Sequence, residues 1–142
     1  MHQPNERSAN VLIDSPSLTV FQILLEPRRL AEWNPAFLSV SGPPEARVGT
    51  HYPIRARGGL SGHWEYHRIE ESRVEGYWEV PGLVEHNTWE LSPHGDGTRV
   101  RHSFAHQGAL AALLRPAFAN VADLRLGRLA ERAQERRPVD VA

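Results

Sequence analysis

A chain of 142 residues with 40% hydrophobic content and a formal net charge of −1 has the size and balance of one water-soluble domain. At that length about 68–70% of the unfolded surface is buried on folding, enough for a core without staples. All 16 cationic residues are arginine and there is neither lysine nor cysteine. Schiff-base chemistry, lysine-dependent phosphate loops, thiolate nucleophiles, disulfides and cysteine metal sites are therefore excluded, and the near-neutral charge without a basic run gives no footing for nucleic acid.

The N-terminal residues Met1 to Arg7 carry charge with no apolar stretch behind it, so no secretory signal is expected and a cytoplasmic location is. Ala9 to Ile13 reads as a strand. Ser15-Pro16 follows as an N-cap and first helical residue, and Leu18, Phe21, Leu24 and Leu25 recur at helical spacing to about Glu26. Pro27 opens a second short helix, with Leu30 and Trp33 on one face, that ends at Asn34-Pro35.

From Phe37 the period becomes two. Strands are expected at Phe37–Val40, Val48–Arg57, His63–Glu71, Val74–Val80, Glu85–Leu91 and Thr98–His106, separated by turn residues. The turn Pro93-His94-Gly95-Asp96-Gly97 is the clearest hairpin signal. Strands following one another without intervening helices require antiparallel neighbours. The last segment is helical, its apolar stripe running through Leu110, Leu113, Leu114, Phe118, Val121, Leu124 or Arg125, and Leu129. Pro116 either kinks this helix or marks its true start. Glu131 to Arg137 reads as a solvated end, and a tail from Pro138 onward is expected to fray.

This order of elements resembles the SRPBCC superfamily, the START-like or helix-grip fold, in its polyketide cyclase/dehydrase and lipid transport branch. The residues that carry the likeness are Ile13-Asp14-Ser15-Pro16, the Leu-x-x-Trp-x-Pro of Leu30 to Pro35, and Trp89 to Thr98 with Val100. A Gly108-led helix ending in Leu-x-x-Leu adds to them. The resemblance implies an α+β fold: a curved seven-stranded antiparallel sheet wrapped around a long C-terminal helix, with two short helices after the first strand. The likeness spans about residues 8–135, the core of what reads as a single domain over residues 1–142.

Strand alternation then predicts a concave face. Phasing from Ile69 turns His67, Glu65 and His63 inward; phasing from Val100 turns His102, Phe104 and His106 inward. Leu91, Trp89 and Asn87 join them, with Val74, Gly76 and Trp78, and Tyr52, Ile54 and Ala56. A shifted register would instead bury Trp64 and Tyr66. The expected site is a pocket with Glu65, His67 and His102 as acid/base groups. Trp33, Phe37, Tyr52, Ile54, His63, Trp78, Asn87, Trp89, Phe104 and His106 form its ligand wall. His63-x-Glu65-x-His67 is a possible metal triad, but along a strand its histidines stand about 13 Å apart, so neither metal nor other cofactor is expected.

The resemblance implies a cyclase/dehydratase-like protein that uses acid/base catalysis on a hydrophobic substrate. A lipid, isoprenoid or pigment carrier without chemistry is the alternative, and a protein-interaction domain of the Hsp90-activator type a second. Expected partners are a hydrophobic small molecule, with no nucleic acid and no membrane insertion, for a monomer or homodimer.

Overall fold

The computed structural model describes residues 6–136; the tail from Pro138 lies outside them. Seven antiparallel strands make one sheet in the order β1-β7-β6-β5-β4-β3-β2. They are β1 (Arg7–Ile13), β2 (Phe37–Val40), β3 (Tyr52–Ala56), β4 (Ser61–Glu70), β5 (Arg73–Val80), β6 (Leu83–His94) and β7 (Gly97–Gln107). The helices are α1 (Ser17–Leu24), α2 (Ala109–Leu113) and α3 (Val121–Glu135), with 3₁₀ segments at Pro27–Glu32 and Arg115–Phe118. This is the helix-grip arrangement.

Burial alternates cleanly along β5 and most of β6, which is the mark of a sheet with one wet face. The dry side holds Tyr52, Ile54, Trp64, Tyr66, Val74, Trp78, Trp89, Leu91, Val100 and Phe104. Each such large side chain contributes about 1.5–3 kcal/mol by leaving water. α3 lies across this side, packed against β1, β7 and α1, and buries Ala122, Arg125, Leu126, Leu129 and Ala133. Tyr66 ties sheet to helix by donating its hydroxyl proton to the Leu24 carbonyl at 2.6 Å. Gly76 on β5 makes room for a neighbour, since a Cβ there would stand 2.5 Å from the Trp64 ring.

Three local expectations are corrected. The strand expected from Val48 begins at Tyr52, with Val48 making only an isolated bridge to Tyr66. Pro16 rather than Ser15 occupies the N-cap of α1, and no side chain caps it. The Ser15 carbonyl instead accepts a bond from the Thr98 hydroxyl at 2.7 Å. Pro116, lacking an amide proton, breaks the C-terminal helix into α2, the 3₁₀ segment and α3. The single apolar stripe is thereby split: Leu113 and Leu124 are exposed, and the arginine at 125 takes the buried position.

The main correction concerns β4. Between Tyr66 and Arg68 the pairing with β5 slips by one residue: Tyr66 faces Gly76, yet Arg68 faces Glu75 and Ile69 faces Val74. That bulge reverses the alternation, so phasing from Ile69 fails beyond it. Trp64 and Tyr66 point into the core, while His63, Glu65 and His67 lie on the convex face.

Candidate functional site

Three features of the folded chain bear on function. The deepest is a polar cluster inside the core. Glu85 of β6, Arg125 of α3 and His102 of β7 are fully buried, with Asn87 and His106 nearly so. Arg125 donates from Nη2 to Glu85 Oε1 and from Nη1 to Glu85 Oε2, both at 2.9 Å. His106 Nε2 donates to Oε1 at 2.8 Å and Asn87 Nδ2 to Oε2 at 3.1 Å. Burial alone would raise the Glu85 pKa, but the Arg125 charge and these bonds hold its carboxyl well below the usual range.

His102 occupies this cluster in a fixed state. Its Nδ1 lies 3.1 Å from the Thr88 carbonyl, which only accepts, so Nδ1 carries the proton. Its Nε2 faces Arg125 Nη1 at 3.2 Å and therefore accepts. The ring stacks on Trp89 with centroids 3.6 Å apart and planes 10° apart. Burial, and then the Arg125 charge, push its pKa down to about 3, so the ring is neutral at pH 7. Both ring nitrogens are committed, and the geometry provides hydrogen bonding but no proton to exchange.

The second feature is an apolar cavity of about 520 Å³. It opens between the β3–β5 end of the sheet and the segment joining β7 to α3. Trp78, Val80 and Leu83 supply the sheet side, and Leu110, Leu114 and Phe118 close it from above. Gly108 sets the latter segment, with φ of 111° at the sharp turn into α2. The only charged lining groups are Arg57 and Arg128. Arg57 donates from Nε to the Pro35 carbonyl at 2.6 Å, and among the described residues neither arginine has a carboxylate partner. Phe118 separates this cavity from the buried cluster, its ring centroid 4.2 Å from that of His106.

Of the expected ligand wall, the structure brings only Trp78 to this cavity. Trp33, Phe37, Tyr52 and Ile54 are core residues, as are Asn87, Trp89 and Phe104, all of them buried. His106 borders a separate polar hollow of about 220 Å³ beside Arg7 and Arg115. Glu65, His63 and His67 face away from both. Glu85 and Arg125 were missed, and two signals pointed to them. Glu85 shares strand parity with Asn87, Trp89 and Leu91. Arg125 is spaced three and four residues from Ala122 and Leu129, on the buried stripe of α3.

The third feature is that convex face. His51, just before β3, and His63 and Glu65 on β4 bring their ligating atoms within 4.8 Å of one another.

The sheet and helices define a START-like, helix-grip fold with an apolar cavity between sheet and C-terminal segment. The chain belongs to the polyketide cyclase / dehydrase and lipid transport family, which it matches over residues 6–134. Protein CV1439 from Chromobacterium violaceum is similar in structure at 20% identity, with a TM-score of 0.72 over 93% of this chain and 99% of that one. A START superfamily protein from Mycobacterium smegmatis aligns at 12% identity and a TM-score of 0.72, covering 92% and 97%. DynU16, a protein of the dynemicin biosynthetic locus, aligns at 19% identity and a TM-score of 0.64 over 91% of this chain, which spans 47% of that one. No curated protein matches in sequence. The family suggests binding of a hydrophobic small molecule. Among the described residues no helix is long and apolar enough to cross a membrane.

Proposed function

We propose that the chain binds a hydrophobic carboxylic acid, of fatty-acid or linear polyketide type, and carries it without chemical change. The observation that carries this reading is the cavity itself: about 520 Å³, mainly apolar, with Arg57 and Arg128 as its sole charged groups. Such a volume falls within the range of small-molecule sites. Guanidinium groups with no carboxylate partner suit an anionic head, each charge-assisted bond contributing about 1.5–3 kcal/mol.

Proton transfer at carbon needs a group that titrates near neutral pH and reaches the substrate. Arginine does not titrate there, and no histidine or carboxylate lines this cavity. From this cavity a substrate would meet the nearest histidine, His106, only past Phe118, whose ring centroid stands 4.2 Å from that of His106. The segment from Ala109 to Asn120 buries only Ala111 among its side chains, so it is the element expected to open for entry.

Titration with dodecanoic acid and its methyl ester, read by tryptophan quenching, tests the reading. The acid is expected to bind at micromolar Kd, about −8 kcal/mol, and at least tenfold tighter than the ester. Arg57→Gln with Arg128→Gln should close that gap, and Ala117→Trp, which fills the cavity from an exposed position, should abolish both. Equal affinity for acid and ester, or no saturable binding, refutes it.

A further inference from the structure

The convex face of the sheet carries a second constellation, unconnected to the cavity. Tyr52 pairs with Trp64, so His51, one residue earlier, stands beside Glu65 on the neighbouring strand. Glu65 pairs with Tyr77 on β5, and Tyr77 with His86 on β6. A row of ligating and hydrogen-bonding side chains therefore crosses four adjacent chain segments on one face, flanked by His63 and His67. Among the described residues it holds four of the chain's eight histidines.

The geometry points to a site for a divalent transition-metal ion of the zinc class, held by His51, His63 and Glu65. Their ligating atoms lie within 4.8 Å of one another, and His51 Nε2 is 2.7 Å from Glu65 Oε1. A tetrahedral zinc centre with bonds of about 2.0–2.1 Å keeps its ligand atoms about 3.3 Å apart, so small side-chain rotations admit the ion. The His51 and His63 rings stack at 4.1 Å and 17°, which holds the two imidazoles against each other. Imidazole and carboxylate donors suit zinc, copper, nickel and cobalt better than calcium or magnesium.

The surrounding groups supply the second shell such centres use to orient their ligands. His67 Nε2 lies 3.2 Å from Glu65 Oε2, the oxygen turned away from His51. The Tyr77 hydroxyl donates to Glu65 Oε1 at 3.4 Å and lies 3.0 Å from His63 Nε2. Glu79, its Oε1 3.6 Å from His63 Nε2, stands where a fourth ligand or a bound water's acceptor belongs. Glu65 and His63 keep 16% and 21% of their side-chain surface, so they are already held in place, whereas His51 at 60% closes the site from solvent. The spacing of His63 and His67 along one strand does rule out that pair. The second imidazole comes instead from the residue just before the adjacent strand β3, where neighbouring strands run about 4.7–4.9 Å apart.

The test is titration of the metal-free full chain with Co²⁺ and Zn²⁺, following the cobalt visible bands and their displacement by zinc. One equivalent is expected to bind with a Kd at or below about 10 µM. His51→Ala, His63→Ala and Glu65→Gln should each weaken binding at least tenfold, and His51→Ala should leave the metal-free melting temperature unchanged. His51 is exposed enough that its variant folds regardless. His2→Ala and His94→Ala should keep full affinity. Millimolar binding, binding that survives His51→Ala, or loss of binding in His2→Ala overturns the assignment.

Discussion

Replacing Arg125 by methionine tests the buried cluster directly. Arg125 and Glu85 both have no solvent exposure, and the guanidinium makes two 2.9 Å bonds to the carboxylate. Each such charge-assisted bond contributes about 1.5–3 kcal/mol. Stranding a buried partner typically costs about 3–5 kcal/mol, which is the loss expected for Arg125→Met at pH 7. That is a large share of a domain stability of about 5–15 kcal/mol. Urea unfolding followed by tryptophan fluorescence measures it, with m unchanged if the native fold persists. The deficit should shrink toward pH 5, because the orphaned Glu85 carboxyl, buried without its cation, takes up a proton. Glu85→Leu combined with Arg125→Met removes both charges and should cost clearly less than the sum of the two single variants. A single-variant loss below about 1 kcal/mol, or strict additivity in the double, would refute the view that this pair is a buried, mutually dependent unit.

The remaining predictions are simpler to state. With its folded pKa near 3 against 6.5 unfolded, His102 binds fewer protons in the native state between those values, so its contribution is full above pH 6.5 and lost as pH falls toward 3. The slope is up to about 1.4 kcal/mol per pH unit, measurable by urea unfolding at stepped pH, and His102→Phe should flatten it above pH 4.5. Glu85, also depressed, adds its own loss below about pH 4.5, where the unfolded carboxyl protonates first. Gly76→Ala forces a Cβ within 2.5 Å of the Trp64 ring and 2.7 Å of the Glu65 carbonyl, and a loss of about 1–3 kcal/mol in urea titrations is expected. Saturating dodecanoic acid should slow amide hydrogen exchange across residues 109–120 far more than in α3, and uniform or absent protection would contradict entry through that segment.

The element order, the antiparallel topology and most strand faces were legible in the sequence, because each is a local property. Val74, Gly76 and Trp78 face inward as alternation predicts, and so do Asn87, Trp89, His102 and Phe104. A bulge is different. The residue that slips between Tyr66 and Arg68 leaves no composition signal, yet it sends Glu65 and His67 to the opposite face. The cavity's position was equally hidden, since it depends on how far α1 and α3 fill the concave side and on where Pro116 breaks the final helix. Glu85 meets Arg125 across 40 residues, and His51 meets Glu65 across a strand pairing. Periodicity reports which way a side chain points from its own strand or helix. Only the tertiary structure decides what it finds there, because partners distant in the chain are chosen by packing, register and the burial of charge.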